Sequence, residues 1–338
     1  MARSVLIVRL GALGDLVHAL PAVAALRAAW PESRIDWLVD ARYRALLDFV
    51  PIVDRVIVLG RPGASLGGVL RSLRRERYDI AIDLQGLIKS AVLARLSGAR
   101  EVMGFATPLL RERAARLFYT TQAGGEAGGH VIAKNVGLLR VLGIAPMSWT
   151  FPLTVPASGV VHAVRGVPGI GVDRRFAVLN PGAGWPNKQW PPERSGRVAR
   201  HLFEHQGWPS VVVWGPGEQA LAEAVVAASD GAAHIAPPTG LGDVLALVKA
   251  AALVVAGDTG PLQLAAALGT PTVGIFGPTN PLRNGPWSPA DVTVSRFEQC
   301  ECHHKRRCRR AIPCVQDIGV DEVIDAVDRR CPRVMIRG

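Results

Sequence analysis

Residues 4–23 read SVLIVRLGALGDLVHALPAV: an apolar run, a Gly-x-x-Gly turn, then a stretch of helical period. The run SVLIVRL (4–10) is rich in β-branched residues and nearly continuous, as a strand covered on both faces would be. Gly11 and Gly14 let the chain turn tightly at its carboxyl end. Asp15 and His18 follow three residues apart, and so share a helix face. Phosphate-binding turns carry a third Gly or a Lys here, not a carboxylate. An Asp so close to a helix start is also a favoured cap, and a single His is more often packed than reactive. Taken alone, the turn leaves both readings of Asp15 open.

The same strand–turn–helix unit recurs outward from this stretch. Apolar runs at RIDWLVD (34–40), RVIVL (55–59) and DIAIDL (79–84) are separated by Ala/Leu/Arg segments of helical period. Strands alternating with helices predict βαβ units and a parallel sheet. Residues 154–173, TVPASGVVHAVRGVPGIGVD, are rich in Pro, Gly and Val without a sustained period, and read as a linker. Alternation then restarts with RFAVLN (175–180), SVVVW (210–214), LVVAG (253–257) and TVGIF (272–276). Helices are expected at about 192–206, 217–228, 241–251 and 260–268. The expected organisation is an α/β protein of two Rossmann-like, doubly wound parallel-sheet domains, 1–155 and 174–315. A linker at 156–173 joins them, and a helical segment at 316–338 closes the chain. Ligands of such sheets sit at the carboxyl ends of strands, so a cleft between two facing sheets is the expected site.

A chain of 338 residues suits two domains with their own cores. Apolar content of 49% with 20% charged residues reads as soluble and globular. No apolar run reaches the ~18 residues of a spanning helix, and no cleavable leader is evident at the N-terminus; a cytoplasmic protein is expected. The net charge of +11 is carried by Arg, since Lys occurs five times. It suggests an anionic partner, although Arg-rich coding bias gives the same balance. Nucleic acid is disfavoured, because the basic residues are not interleaved with aromatics and no reading helix is present. Cys300, Cys302, Cys308 and Cys314 lie close together with His303 and His304 between them. Zinc pairs prefer two residues between thiolates and this pair has one, so free thiols are favoured over a metal site.

Two further turns carry chemistry. LNPGAGWPNKQWP (179–191) follows a strand, exposes backbone amides around Gly182 and Ala183, and places Lys188 between Trp185 and Trp190. Amides and one ammonium suit an anion; a Pro/Gly loop with a solvated Lys is the plainer alternative. In VVAGDTGPLQLAAALGTPTVGIFGPTNP (254–281) a buried strand ends in Asp258-Thr259-Gly260-Pro261 at the start of an Ala/Leu helix. Helix-start amides attract phosphate, while an Asp there repels it unless it faces hydroxyls. A sugar diphosphate offers both groups.

These three motifs, in this order, resemble glycosyltransferase family 9, the ADP-heptose:lipopolysaccharide heptosyltransferases, and the resemblance spans almost the whole chain. RIDWLVDARY, YDIAIDLQGLIKSAVLARLSG and ARLFY are most similar to the type that adds the first heptose to the Kdo of the inner core. The resemblance implies a GT-B architecture with the nucleotide donor in the C-terminal domain, the acceptor in the N-terminal domain, and neither metal nor cofactor. Carried over by motif, Asp15 is the catalytic base, and Lys188 binds the donor phosphates and stabilises the leaving group. Asp258 holds heptose hydroxyls, Thr259 and Gly260 offer amides to the diphosphate, and Glu218 meets the ribose. Gly14, Gly182, Ala183 and Pro261 complete the implied donor set. An acceptor of the Kdo–lipid A type is anionic, so His18, Lys89, Arg111 and Arg113 are the expected acceptor contacts. The protein is then a monomer, peripheral on the cytoplasmic face of an anionic membrane. Two positions depart from the family pattern: Gln263 stands where a His is usual, and Ala183 and Gly184 stand where some members carry hydroxyls.

A Rossmann dehydrogenase is disfavoured by the missing G-x-G-x-x-G, with Asp40 a weak candidate for the ribose carboxylate. A non-catalytic nucleotide-sugar binder would have no use for Asp15. The second-heptose type, or another surface-polysaccharide transferase, would share every motif quoted.

Overall fold

A computed structural model describes residues 3–332 apart from 64, 125–128, 168–169, 172–173 and 304. The chain divides into two compact units, Met1–Thr154 and Val155–Gly338.

The first unit runs β1 (Ser4–Val8), α1 (Leu13–Ala29), β2 (Arg34–Asp40), β3 (Arg55–Leu59), α2 (Leu66–Arg75), β4 (Ile80–Asp83), α3 (Ile88–Leu96), β5 (Glu101–Phe105), β6 (Thr121–Ala123) and α4 (Val131–Gly137). Its six strands are all parallel, in the order β3-β2-β1-β4-β5-β6. β1 is central. Val5, Leu6, Ile7 and Val8 are all buried, which accounts for the unbroken apolar run: helices cover both faces, so no residue faces water. α1 lays Leu16, Leu20 and Leu26 into that core, and each such side chain contributes roughly 1.5–3 kcal/mol by leaving water.

The second unit contains α5 (Gly159–Arg165), β7 (Ala177–Asn180), α6 (Pro192–Gln206), β8 (Ser210–Val212), α7 (Gln219–Ala227), β9 (Ala233–Ile235) and α8 (Leu241–Ala250). It continues with β10 (Leu253–Gly257), α9 (Gly260–Ala267), β11 (Thr272–Phe276), α10 (Pro281–Asn284), β12 (Val292–Ser295) and α11 (Val320–Arg330). Its sheet, β12-β11-β10-β7-β8-β9, is again wholly parallel. Counted within each unit, both sheets have the order 3-2-1-4-5-6 of a dinucleotide-binding fold, whose strand order reverses beside the first strand. The reversal lies between β1 and β4 in one unit and between β7 and β10 in the other.

Four strands escape the sequence reading. β6 and β9 have three residues each, and β5 and β12 are short runs beside charged or polar residues. The stretch read as a linker contains a two-turn helix, α5, where Ser158 caps the Val160 amide at 3.1 Å and donates to Asp243 of α8 at 2.8 Å. Tertiary packing against α8 supplies what local period does not. The final helix, expected as a separate segment, buries Val323, Ala326 and Val327 in the core of the second unit.

Candidate active site

In the first unit, the turn after β1 brings Asp15 to the switch point. Gly11 lies under Tyr43 so closely that a Cβ there would come within 2.3 Å of the ring, so glycine is required. The Asp15 carboxylate accepts from the Ala12 amide at 3.1 Å, reaching back to cap the helix that it begins. Its other oxygen pairs with Arg9 at 2.8 Å, and the Asp15 side chain stays 37% exposed. Capping and exposure to a ligand are therefore compatible. His18, on the same helix, is buried; its ring meets His130 edge-on at 5.5 Å and its carbonyl accepts from Asn135 at 3.0 Å. Asp40 caps the turn after β2, accepting from the Arg42 amide at 3.1 Å.

β4 ends one strand away, with Val8 aligned to Asp83. Asp83 is fully buried and accepts four hydrogen bonds, from the Gln85 and Gly86 amides, the Ser90 hydroxyl and the Tyr119 hydroxyl, at 2.8, 3.2, 2.8 and 2.7 Å. Burial pushes its carboxyl up, opposed by those bonds. Asp83 thereby shapes the loop leading to Lys89, which is exposed in the first turn of α3. Glu112 accepts from the Ile88 amide at 2.7 Å, which brings its exposed neighbours Arg111 and Arg113 to the end of α3 where Lys89 lies. Lys89, Arg111 and Arg113, the three cations expected to meet the acceptor, are all exposed.

In the second unit, Lys188 follows β7 and Asp258 follows β10, at the switch point. Lys188 Nζ pairs with Asp258 at 2.6 Å and lies 4.6 Å from the centre of the Trp185 ring. Asn284, at the end of α10, donates to the same Asp258 oxygen at 3.1 Å, and Gln263 donates to the Asn284 carbonyl at 2.7 Å. The Thr259 hydroxyl lies 3.1 Å from Asn180 Oδ1, which joins the two strand ends. Gly260 and Pro261 open α9. Gly182 and Ala183 are buried in the loop after β7, and Glu218, after β8, lies so close to Gly182 that a Cβ there would be 1.9 Å from its carboxylate. The sequence reading brought Lys188, Asp258, Thr259 and Glu218 together as one donor set, and all four lie at strand ends of this sheet. A larger cavity of about 430 Å³, lined by Arg175, His205, Trp208 and Cys331, lies at the amino ends of β7, β10 and β11, the wrong edge for such a site.

The cysteines pack on one another: Cys300, Cys302 and Cys314 are buried and Cys308 lies against them. Amides of Cys302 and Arg309 donate to the sulfurs of Cys300 and Cys302 at 3.3 and 2.9 Å. Burial pushes the Cys314 thiol up to about 12, whereas the Arg309 amide holds Cys302 low. Among the described residues, no three His, Cys, Asp or Glu are placed to hold a metal ion. The loop does reach the donor residues: the Lys305 carbonyl accepts from the Asn187 side chain at 2.8 Å, next to Lys188.

Arg9, Asp83 and Asn284 were not singled out in the sequence. Arg9 sits at the end of a strand that otherwise reads as wholly apolar, a signal that could have flagged it. Asn284 gives none, because its partner is 26 residues away across a loop.

Residues 67–312 match the family model for glycosyltransferase family 9 (heptosyltransferase). The chain belongs to glycosyltransferase family 9. It is 30% identical over 320 residues to lipopolysaccharide heptosyltransferase 1 of Pseudomonas aeruginosa, covering 90% of this chain and 87% of that protein. Identity to lipopolysaccharide heptosyltransferase 1 of Escherichia coli K12 is 30% over 297 residues, 82% of this chain and 88% of that one. In fold, the chain superposes on E. coli heptosyltransferase WaaC with ADP at a TM-score of 0.75 and 24% identity, covering 96% and 97% of the two chains. The family 9 glycosyltransferase of Veillonella parvula gives 0.83 at 22% identity, covering 97% of each. The two-sheet α/β architecture is that of these GT-B heptosyltransferases, and the chain is a glycosyltransferase.

Proposed function

We propose that the protein is an inverting, metal-independent glycosyltransferase that moves heptose from ADP-heptose to the Kdo of the lipopolysaccharide inner core. Its relatives of the heptosyltransferase 1 type support the reaction class. The residues supply its steps. Asp15 takes the proton from the acceptor hydroxyl as that oxygen attacks the anomeric carbon and the ADP diphosphate departs from the opposite face. Lys188 and the Thr259 and Gly260 amides meet the charge that grows on the leaving diphosphate, the work a metal ion does elsewhere. Asp258, held by Lys188 and Asn284, points its carboxylate at heptose hydroxyls. Glu218, held by the Gly215 amide at 3.0 Å, takes the ribose hydroxyls. Gly14, Gly182, Ala183 and Pro261 keep backbone close to the donor.

The acceptor carries carboxylates and phosphates. Lys89, Arg111 and Arg113 are the exposed cations proposed to meet it, with His18 as a further contact from α1. Among the described residues no helix is long and apolar enough to cross a membrane. On the same reading, the protein acts as a monomer on the cytoplasmic face of the anionic bilayer that holds its acceptor, with exposed Lys89, Arg111 and Arg113 giving it affinity for that surface.

The reading rests above all on Asp15, a carboxylate held by Arg9 and the Ala12 amide and still partly exposed, for which simple nucleotide-sugar binding has no use. Asp15→Asn is expected to fold and bind ADP-heptose as the natural protein does, and to lose roughly two to four orders of magnitude in turnover. Natural turnover in that variant would make Asp15 a cap and nothing more.

A further inference from the structure

We infer that Arg9 is a positioning residue for the Asp15 base, an inference that rests on the reading of Asp15 given above. Arg9 leaves β1 pinned at both ends of its backbone: its amide donates to Leu38 at 3.3 Å and its carbonyl accepts the Trp37 indole N–H at 3.0 Å. The side chain turns inward and the residue is only 5% exposed. One terminal nitrogen, Nη2, meets Asp15 Oδ1 at 2.8 Å, and the other, Nη1, donates to the Leu84 carbonyl at the end of β4.

That second contact ties the base to the most firmly held point of the unit. Leu84 follows Asp83, with its four donors, and precedes Gln85, whose side chain accepts the Leu10 amide at 2.8 Å. Arg9 therefore cross-links the two turns at the switch point, the one carrying Asp15 and the one leading to Lys89. A planar guanidinium presents two donors in a fixed fork and so can hold both oxygens at once; an ammonium on a flexible stem is a single point and cannot. With Oδ1 on Arg9 and Oδ2 on the Ala12 amide, the carboxylate cannot rotate.

A double-mutant cycle in the full-length protein tests this, with ADP release from ADP-heptose and a Kdo–lipid A acceptor as the readout. Arg9→Gln is expected to lower kcat about 10–100-fold, the cost of a misplaced reacting group, and to leave the ADP-heptose KM within about twofold. Arg9→Lys should fall between it and the natural protein. In an Asp15→Asn background, Arg9→Gln should cost almost nothing further, because a residue that acts through the base has nothing left to act on. Should Arg9→Gln not fold, Arg9→Lys carries the same cycle. Unchanged kcat in both Arg9 variants, or losses that multiply in the double variant, overturn the inference while leaving Asp15 as the base. Natural turnover in Asp15→Asn alone removes the base reading and the role of Arg9 with it.

Discussion

Lys188 and Asp258 stand 2.6 Å apart with side chains only 15% and 10% exposed, 70 residues apart in the chain. The Lys188 ammonium, which we propose meets the donor diphosphate, is matched in the structure by a carboxylate. The pair holds the ammonium in place, and Asn284 is a second donor to the same Asp258 oxygen.

Lys188→Ala is expected to weaken ADP-heptose binding and to lower kcat roughly 10²–10³-fold, because the phosphates carry charge before transfer and more of it in the transition state. Removing one partner of a nearly buried pair should also cost about 3 kcal/mol of stability. Donor titration, steady-state kinetics and urea unfolding check the three effects separately. EDTA added to the natural enzyme should leave its rate unchanged; a strict need for a divalent ion would refute the metal-free mechanism.

Gly182→Ala tests the ribose contact without touching a charge. The new Cβ would lie 1.9 Å from the Glu218 carboxylate, which must move away. The ADP-heptose KM should rise about tenfold, the worth of a lost hydrogen bond to a charged group, with kcat little altered. Gly184→Ala, where a Cβ meets nothing within 4 Å, is the matched control and should behave as the natural protein. Equal KM values in the two variants would place the ribose elsewhere.

Neutralising Lys89, Arg111 and Arg113 together should raise the acceptor KM, leave the donor KM alone and flatten the dependence of rate on salt, since exposed charges are screened over about 8–10 Å. An unchanged acceptor KM would assign these cations no part in recognition.

Glu76 gives a pH test. Arg55 holds its carboxyl below the ordinary range, with Arg34 adding to the effect from 3.1 Å. A folded-state value below the unfolded one contributes stability above the unfolded value of about 4.3, lost as pH falls through the lower folded value. Glu76→Gln should therefore be less stable than the natural protein at neutral pH, by up to about 1 kcal/mol, because Arg34 and Arg55 are themselves exposed and their attraction is screened. In urea titrations the difference should close as the pH falls below about 4.3. A difference independent of pH would mean that packing, not charge, is what the substitution removes.

The strands at the centre of both sheets, and the edge strand β3, were readable along the chain. β1, β2, β3, β4, β7, β8, β10 and β11 are apolar runs, and most of them end in a turn containing Gly. Lys188 and Asp258 were legible for the same reason, each standing in the loop after such a strand, and Asp15 because it opens the helix that follows β1; these are local features. Resemblance to the family then assigned them roles that position alone leaves open.

What each of those residues touches was decided only by tertiary structure. Arg9 meets Leu84 because β4 pairs with β1, and Lys188 meets Asp258 because β10 pairs with β7. Both pairings skip two strands of sequence. Hydrophobic period records that a segment is buried, not which segment lies beside it, so strand order, and with it every contact across the switch point, is absent from any local pattern. The helix at 159–165 depends likewise on Asp243, 85 residues from Ser158. The turns are written in the sequence because a few adjacent dihedral angles determine them; the contacts of Arg9 with Leu84 and of Lys188 with Asp258 arise only when distant strands close side by side.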